Sequence, residues 1–121
     1  VQIIKIKFKG KNEYVFNLHL EAFDFNAKQE QLIFLQTLIK EFQPIAVCGD
    51  FNTLPQGQNK KLEIDYSNDY AIDLLPKIMS EYKDIFGNFL TFPTKKENCR
   101  LDYIWVRNDL NAKIIDLNIV F

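Results

Sequence analysis

The chain has 121 residues, with 15 Lys plus Arg set against 16 Asp plus Glu for a formal charge of -1, and 47% of its residues are apolar. That composition belongs to one packed domain rather than a disordered chain, and it offers no basic tail or charge run that would hold nucleic acid or membrane by electrostatics alone. Cys48 and Cys99 lie far apart without a CxxC spacing, which excludes a disulfide scaffold, and no apolar run approaches the ~20 residues of a spanning helix.

Residues 1–9 alternate, with Ile4, Ile6 and Phe8 interleaved by Lys5, Lys7 and Lys9, which predicts a strand with one face on a core and one in water. A turn at Gly10-Lys11-Asn12 leads to a second strand over 14–23, pairing antiparallel with the first and carrying His19 near its end. Asn26 is the expected helix cap, with Gln29 completing a capping box, and Leu32, Leu35, Leu38, Ile39 and Phe42 recur at helical spacing over 27–42. Pro44 stops that helix. The short apolar run Ile45-Ala46-Val47-Cys48 then reads as a strand buried on both faces, and a strand entered from a covering helix is the signature of an α/β layered fold.

Residues 55–68 are polar and read as a surface loop with little chemistry. Ala71, Leu74, Leu75, Ile78 and Tyr82 predict a second helical stretch that Pro76 kinks or divides in two. Strands are expected over 89–93 and 101–106 around a charged turn at 95–98, and a last one over 114–121. The opening residues show no signal-peptide pattern, so the cytoplasm is slightly favoured as a location. The chain lacks an initiator Met and begins and ends inside strand-like sequence, which suggests a piece of a longer polypeptide or a processed form.

Chemistry concentrates in three places. Cys48-Gly49-Asp50-Phe51-Asn52-Thr53-Leu54-Pro55 follows the buried strand, and ligands of open α/β sheets bind at the carboxyl ends of strands. On extended backbone Asp50 and Asn52 would face the same side, where a carboxylate can hold a hard divalent ion or accept a proton from water and an amide can donate to a phosphate oxygen. The same residues would also make a simple turn. His19, the only histidine, can donate to a phosphoryl oxygen or act as an acid near neutral pH, or serve a structural role; a zinc site is excluded by the lack of partners. In Arg100-Leu101-Asp102-Tyr103-Ile104-Trp105-Val106, Asp102 shares a face with Ile104 and points inward or toward a strand end. It either orients a catalytic imidazole or pairs with Arg100 or a backbone cap.

Together these residues resemble the C-terminal half of the endonuclease/exonuclease/phosphatase superfamily, the metal-dependent phosphohydrolases similar to DNase I. Three motifs carry the resemblance in order: Phe16-Asn17-Leu18-His19-Leu20 against Asn-Thr-His-Leu, with Leu18 where Thr is common; Gly49-Asp50-Phe51-Asn52 with Leu54-Pro55; and Arg100-Leu101-Asp102-Tyr103-Ile104 preceded by Thr91-Phe92-Pro93. The resemblance covers essentially the whole chain and implies half of a four-layer α/β sandwich, a mixed and mainly antiparallel sheet with covering helices, residues 1–121 forming the C-terminal portion of a single domain.

The resemblance further implies hydrolysis of phosphate esters with Mg²⁺, or Mn²⁺ in its place. His19 matches a histidine that contacts the scissile phosphate, and Asp50 and Asn52 match the pair that positions the attacking water, holds phosphate and lies near the metal. Asp102 matches the carboxylate that supports the catalytic histidine. Family members supply an Asn and the principal metal-binding Glu from an N-terminal half, and end in a Ser-Asp-His motif; neither is present in these residues. The implied partners are a phosphate-ester substrate (nucleic acid, phosphorylated small molecule or lipid) and, across an exposed sheet face, the other half of the domain or a second copy. The competing readings are a binding or scaffold module that keeps the fold without chemistry, and a small nucleic-acid-binding domain, which would need a basic face.

Overall fold

The computed structural model describes residues 1–87, 90–92 and 99–112. Its first two strands, β1 (Gln2–Phe8) and β2 (Lys11–His19), form the expected antiparallel hairpin, closed by Lys9 and Gly10 at positive φ. Helix α1 (Phe25–Phe42) follows, then strand β3 (Ala46–Asp50), which pairs parallel with β2. Helix α2 (Ala71–Ile78) and the short strands β4 (Tyr82–Asp84) and β5 (Asp102–Arg107) complete a five-stranded sheet in the order β1-β2-β3-β5-β4, mixed and mainly antiparallel. The fold is α/β, one layer of helices on one sheet.

Local chemistry moves several boundaries. Asp24, not Asn26, caps α1, because its carboxylate accepts the N–H groups of Asn26 and Ala27 at 3.0 Å each, so the helix starts two residues earlier than the sequence suggests. Pro76 lies inside α2, which ends two residues later as a single short helix. Tyr82, at helical spacing in the sequence, instead opens β4 as an edge strand on β5. Of the strand expected over 89–93, the described part makes one antiparallel bridge, Phe92 to Cys99. The turn expected at 95–98 and the strand expected over 114–121 lie outside the described residues.

The core sits on one face of the sheet. Phe16, Leu18, Val47, Tyr103 and Trp105 pack against Leu32, Leu35 and Ile39 of α1 and Leu75 and Ile78 of α2, all nine-tenths buried or more. The region 55–68 is less a surface loop than expected, since Leu62 and Tyr66 are buried with Leu54, Ile72 and Leu101 in a second cluster. Register reverses one expectation. Ile3 pairs with Phe16 and Ile4 with Val15, so the stripe Ile4, Ile6, Phe8 lies on the side away from the helices, beside Val15, Ala46, Cys48, Ile104 and Val106. Among the described residues that face has no covering layer, and its residues are half-buried or exposed.

Candidate functional site

Strand register brings three of the four sequence-predicted residues into one row. His19 ends β2 opposite Asp50, which ends β3, and Asp50 stands opposite Asp102, which begins β5. Neighbouring strands lie about 4.8 Å apart, so three titratable side chains line one rim of the sheet. All three share the open face: the alternation that buries Leu18, Val47 and Tyr103 under the helices turns His19, Asp50 and Asp102 the other way. Asp102 therefore does not point into the core, and the strand-end alternative is the one observed. The alternative of a pair with Arg100 is not the one seen, because Arg100 turns to the opposite face, where it binds Asp84 at 2.6 Å and lies 4.3 Å over the Tyr103 ring.

The rim is tightly cross-linked through backbone. Leu20 N–H donates to Asp50 C=O and Phe51 N–H to Leu101 C=O, each at 2.9 Å, which ties the loops leaving β2 and β3 to the segment entering β5. Thr91 adds to this, its Oγ1 accepting the N–H groups of Leu101 and Asp102 at 3.1 and 3.3 Å. Gly49 is required by close approach: at φ +130° a Cβ would lie 2.0 Å from the Leu18 carbonyl oxygen.

His19 Nε2 is 3.8 Å from Asp50 Oδ2, with the imidazole 76% exposed and the carboxylate 35% exposed. The other Asp50 oxygen accepts the Asn52 N–H at 2.8 Å. Burial pushes the Asp50 carboxyl above the usual aspartate range, and neighbouring Asp102 pushes the same way, while the Asn52 N–H, His19 and Lys28 oppose it. Asn52 departs from the extended conformation expected of it. Its φ is +46°, its side chain is almost wholly buried, and Nδ2 donates to the Leu20 carbonyl at 2.8 Å, leaving the amide's second N–H for another acceptor. The turn reading of Asp50 and Asn52 holds: one Asp50 oxygen closes the turn, and the other faces His19.

Two residues that the sequence analysis passed over stand directly behind this turn. Lys28 and Asp69 form a fully buried ion pair at 2.8 Å, and the Lys28 ammonium also donates to the Asn52 carbonyl. A sequence signal for Lys28 existed, since it falls on the stripe Lys28, Leu32, Leu35, Ile39 that α1 buries, and a charge on a buried stripe demands a partner. A concavity of about 680 Å³ lies at the far end of the sheet between Tyr14, Phe42 and Tyr82, where Arg107 is already engaged by Asp109 at 2.7 Å and Glu13 at 3.7 Å. It is remote from the row.

The profile of the Endonuclease/Exonuclease/phosphatase family matches residues 10–120. The chain belongs to this family. No curated protein matches it. Among solved structures, the endonuclease/exonuclease/phosphatase fold recurs in a humanized D. rerio TDP2, with TM-score 0.55 and 21% identity over 87% of this chain and 43% of that one. It recurs in an endonuclease/exonuclease/phosphatase family protein of Bacteroides thetaiotaomicron, with TM-score 0.55 and 20% identity over 87% and 39%. A β-hairpin deletion mutant of Staphylococcus aureus beta toxin gives 0.53 and 18% over 93% and 45%. The chain thus spans less than half the length of each, and its single sheet with one helical layer is consistent with half of a DNase I-like sandwich.

Whether a divalent ion fits can be judged from the donors. A hard cation takes about six oxygen ligands. Among the described residues no three His, Cys, Asp or Glu side chains gather closely enough to hold a metal ion. No helix of the described residues is long and apolar enough to cross a membrane.

Proposed function

We propose that the natural protein carrying this chain is a divalent-metal-dependent phosphodiesterase or nuclease, and that the row His19, Asp50, Asp102, with Asn52 behind it, is this chain's share of the active site. The observation that supports the reading most is the register itself: residues 31 and 52 positions apart in sequence, each drawn from a different motif, meet on adjacent strands at one rim. Structural needs alone account for Gly49 and for the buried face but give no reason to set a histidine and two carboxylates side by side on the other.

In this reading the exposed imidazole of His19, 3.8 Å from the Asp50 carboxylate, donates to a non-bridging phosphoryl oxygen. Asp50, once ionised, orients the attacking water and takes up its proton. The free N–H of Asn52 binds a second phosphoryl oxygen. Asp102 awaits an imidazole from a Ser-Asp-His motif elsewhere in the protein, to which it would be the orienting carboxylate. Asp50, together with Asn52, would contribute to holding Mg²⁺ or Mn²⁺, which when bound offsets charge on the phosphoryl group; the remaining ligands come from outside residues 1–121. The open apolar face of Ile4, Val15, Ala46, Cys48, Ile104 and Val106 is then where the other half of the domain packs, these residues being the C-terminal portion of one domain.

Hydrolysis of bis(p-nitrophenyl) phosphate by the full-length protein, with Mg²⁺, with Mn²⁺ and with EDTA, tests the proposal. Turnover that EDTA abolishes and added metal restores is the expected result. A folded full-length protein with no metal-dependent turnover on this or other phosphate mono- and diesters would overturn it in favour of a binding or scaffold module.

A further inference from the structure

The buried pair Lys28–Asp69 has no part in the row, yet it touches Asn52 directly behind it. Both side chains are 0% exposed, and the ammonium also lies 4.8 Å from the ring centroid of Phe25 and 5.7 Å from that of Tyr66. Burial pushes the Lys28 ammonium below the usual lysine range, while the Asp69 carboxylate opposes that shift. As a packing device the pair is a poor choice, since two apolar side chains of the same volume would stabilise a core at least as well. What an apolar pair cannot do is donate a hydrogen bond to the Asn52 carbonyl.

That bond is one of three that hold Asn52 in a backbone conformation uncommon for a residue with a side chain. The others are Asn52 N–H to Asp50 Oδ1 and Asn52 Nδ2 to the Leu20 carbonyl, both 2.8 Å. The first also sets the rotation of the Asp50 carboxylate, whose second oxygen faces His19. Asp69 is itself anchored, its Oδ1 accepting the Ala71 N–H at 3.1 Å where α2 begins. An unbroken line of polar contacts therefore runs from the two helices through Asp69, Lys28, Asn52 and Asp50 to His19.

We infer that Lys28 and Asp69 are positioning residues, a buried brace between α1 and α2 that holds the Asn52 turn and thereby aims the Asp50 carboxylate at His19. The inference rests on the reading of that row as catalytic. Neither residue reaches substrate; both act through Asn52.

Lys28→Met alone strands the Asp69 carboxylate in the core and is expected to unfold the domain, so the informative variant of the full-length protein is Lys28→Met combined with Asp69→Leu. It removes both charges while leaving the Asn52 carbonyl without its donor. Two readouts are taken on the folded variant: amide hydrogen exchange at Asn52 against Val47 in β3, and kcat and KM for bis(p-nitrophenyl) phosphate with Mg²⁺. The expected result is a retained cooperative melt, unchanged exchange at Val47, exchange at Asn52 faster by about 10-fold or more, and kcat lower on the order of 10²-fold with KM within about threefold. Unchanged exchange at Asn52 overturns the brace whatever the activity does. Faster exchange with wild-type kcat overturns its catalytic role. Should the wild type itself show no turnover, the catalytic reading falls, and exchange at Asn52 alone decides whether the brace exists.

Discussion

The two faces of the sheet are built from alternating residues of the same strands and are put to opposite uses. On the helix side, Phe16, Leu18, Val47, Tyr103 and Trp105 are buried, and the buried ionic groups described there are paired, Lys28 with Asp69 and Arg100 with Asp84. On the other side, Val15, Cys48 and Ile104 are half-buried and the row His19, Asp50, Asp102 stands at the rim with its imidazole in water. Stability is concentrated on the closed face, and the proposed reactivity on the open one. The contrast follows from dielectric: a charge needs a partner where water is excluded, whereas a group that must meet substrate has to stay accessible.

The hardest blow to this contrast comes from the open face. Asp50→Asn is expected to lower metal-dependent turnover of the full-length protein by a factor on the order of 10² to 10⁴, the range of a positioned proton-transfer group. Circular dichroism should show the fold intact, and a change below about threefold would remove Asp50 from the chemistry. On the closed face, Phe16→Ala should cost about 3–5 kcal/mol of unfolding free energy in denaturant titrations, since it empties the centre of the core.

Between the faces, Gly49→Ala should cost about 2–4 kcal/mol, because the added methyl meets the Leu18 carbonyl at a backbone φ that disfavours any side chain. Val15→Ala, one residue from Phe16 but on the open side, should cost about 1 kcal/mol or less if that side is truly uncovered. A loss of about 2 kcal/mol or more in the full-length protein would mean that another layer closes this face as well, which is what the proposed second half of the domain requires.

The smallest effect is a pH dependence. The Asp50 carboxyl is raised above its ordinary value of 3.8, first by burial and then by Asp102. Between that value and the raised one the folded chain binds more protons than the unfolded chain, so this group's contribution to stability declines as pH rises through the window. Activity should run the opposite way, its acid limb lying above the usual carboxylate range because Asp50 works ionised. Metal-free thermal melts against pH, compared between wild type and Asp50→Asn, check the sign: the variant should lose this component of the decline.

The alternation of residues 2–8, the periodicity of α1 and the apolar run before Gly49 were enough to read the hairpin, the helix and β3 from sequence, because local spacing dictates local structure. The motif residues His19, Asp50, Asn52 and Asp102 were likewise legible, each standing out as a polar group beside an apolar strand. Tyr82 was misread since its spacing fits a helix equally well, and only pairing with β5 makes it a strand. Which face each stripe occupies, and hence the exposure of Ile4, Ile6 and Phe8, depends on strand register, a property of two segments rather than one. The left-handed turn at Asn52 and the pairing of Lys28 with Asp69 were decided by tertiary structure for the same reason. Residues 24 and 41 positions away in the chain become neighbours of the Lys28 ammonium only after the helices dock, when exclusion of water leaves it no other partner.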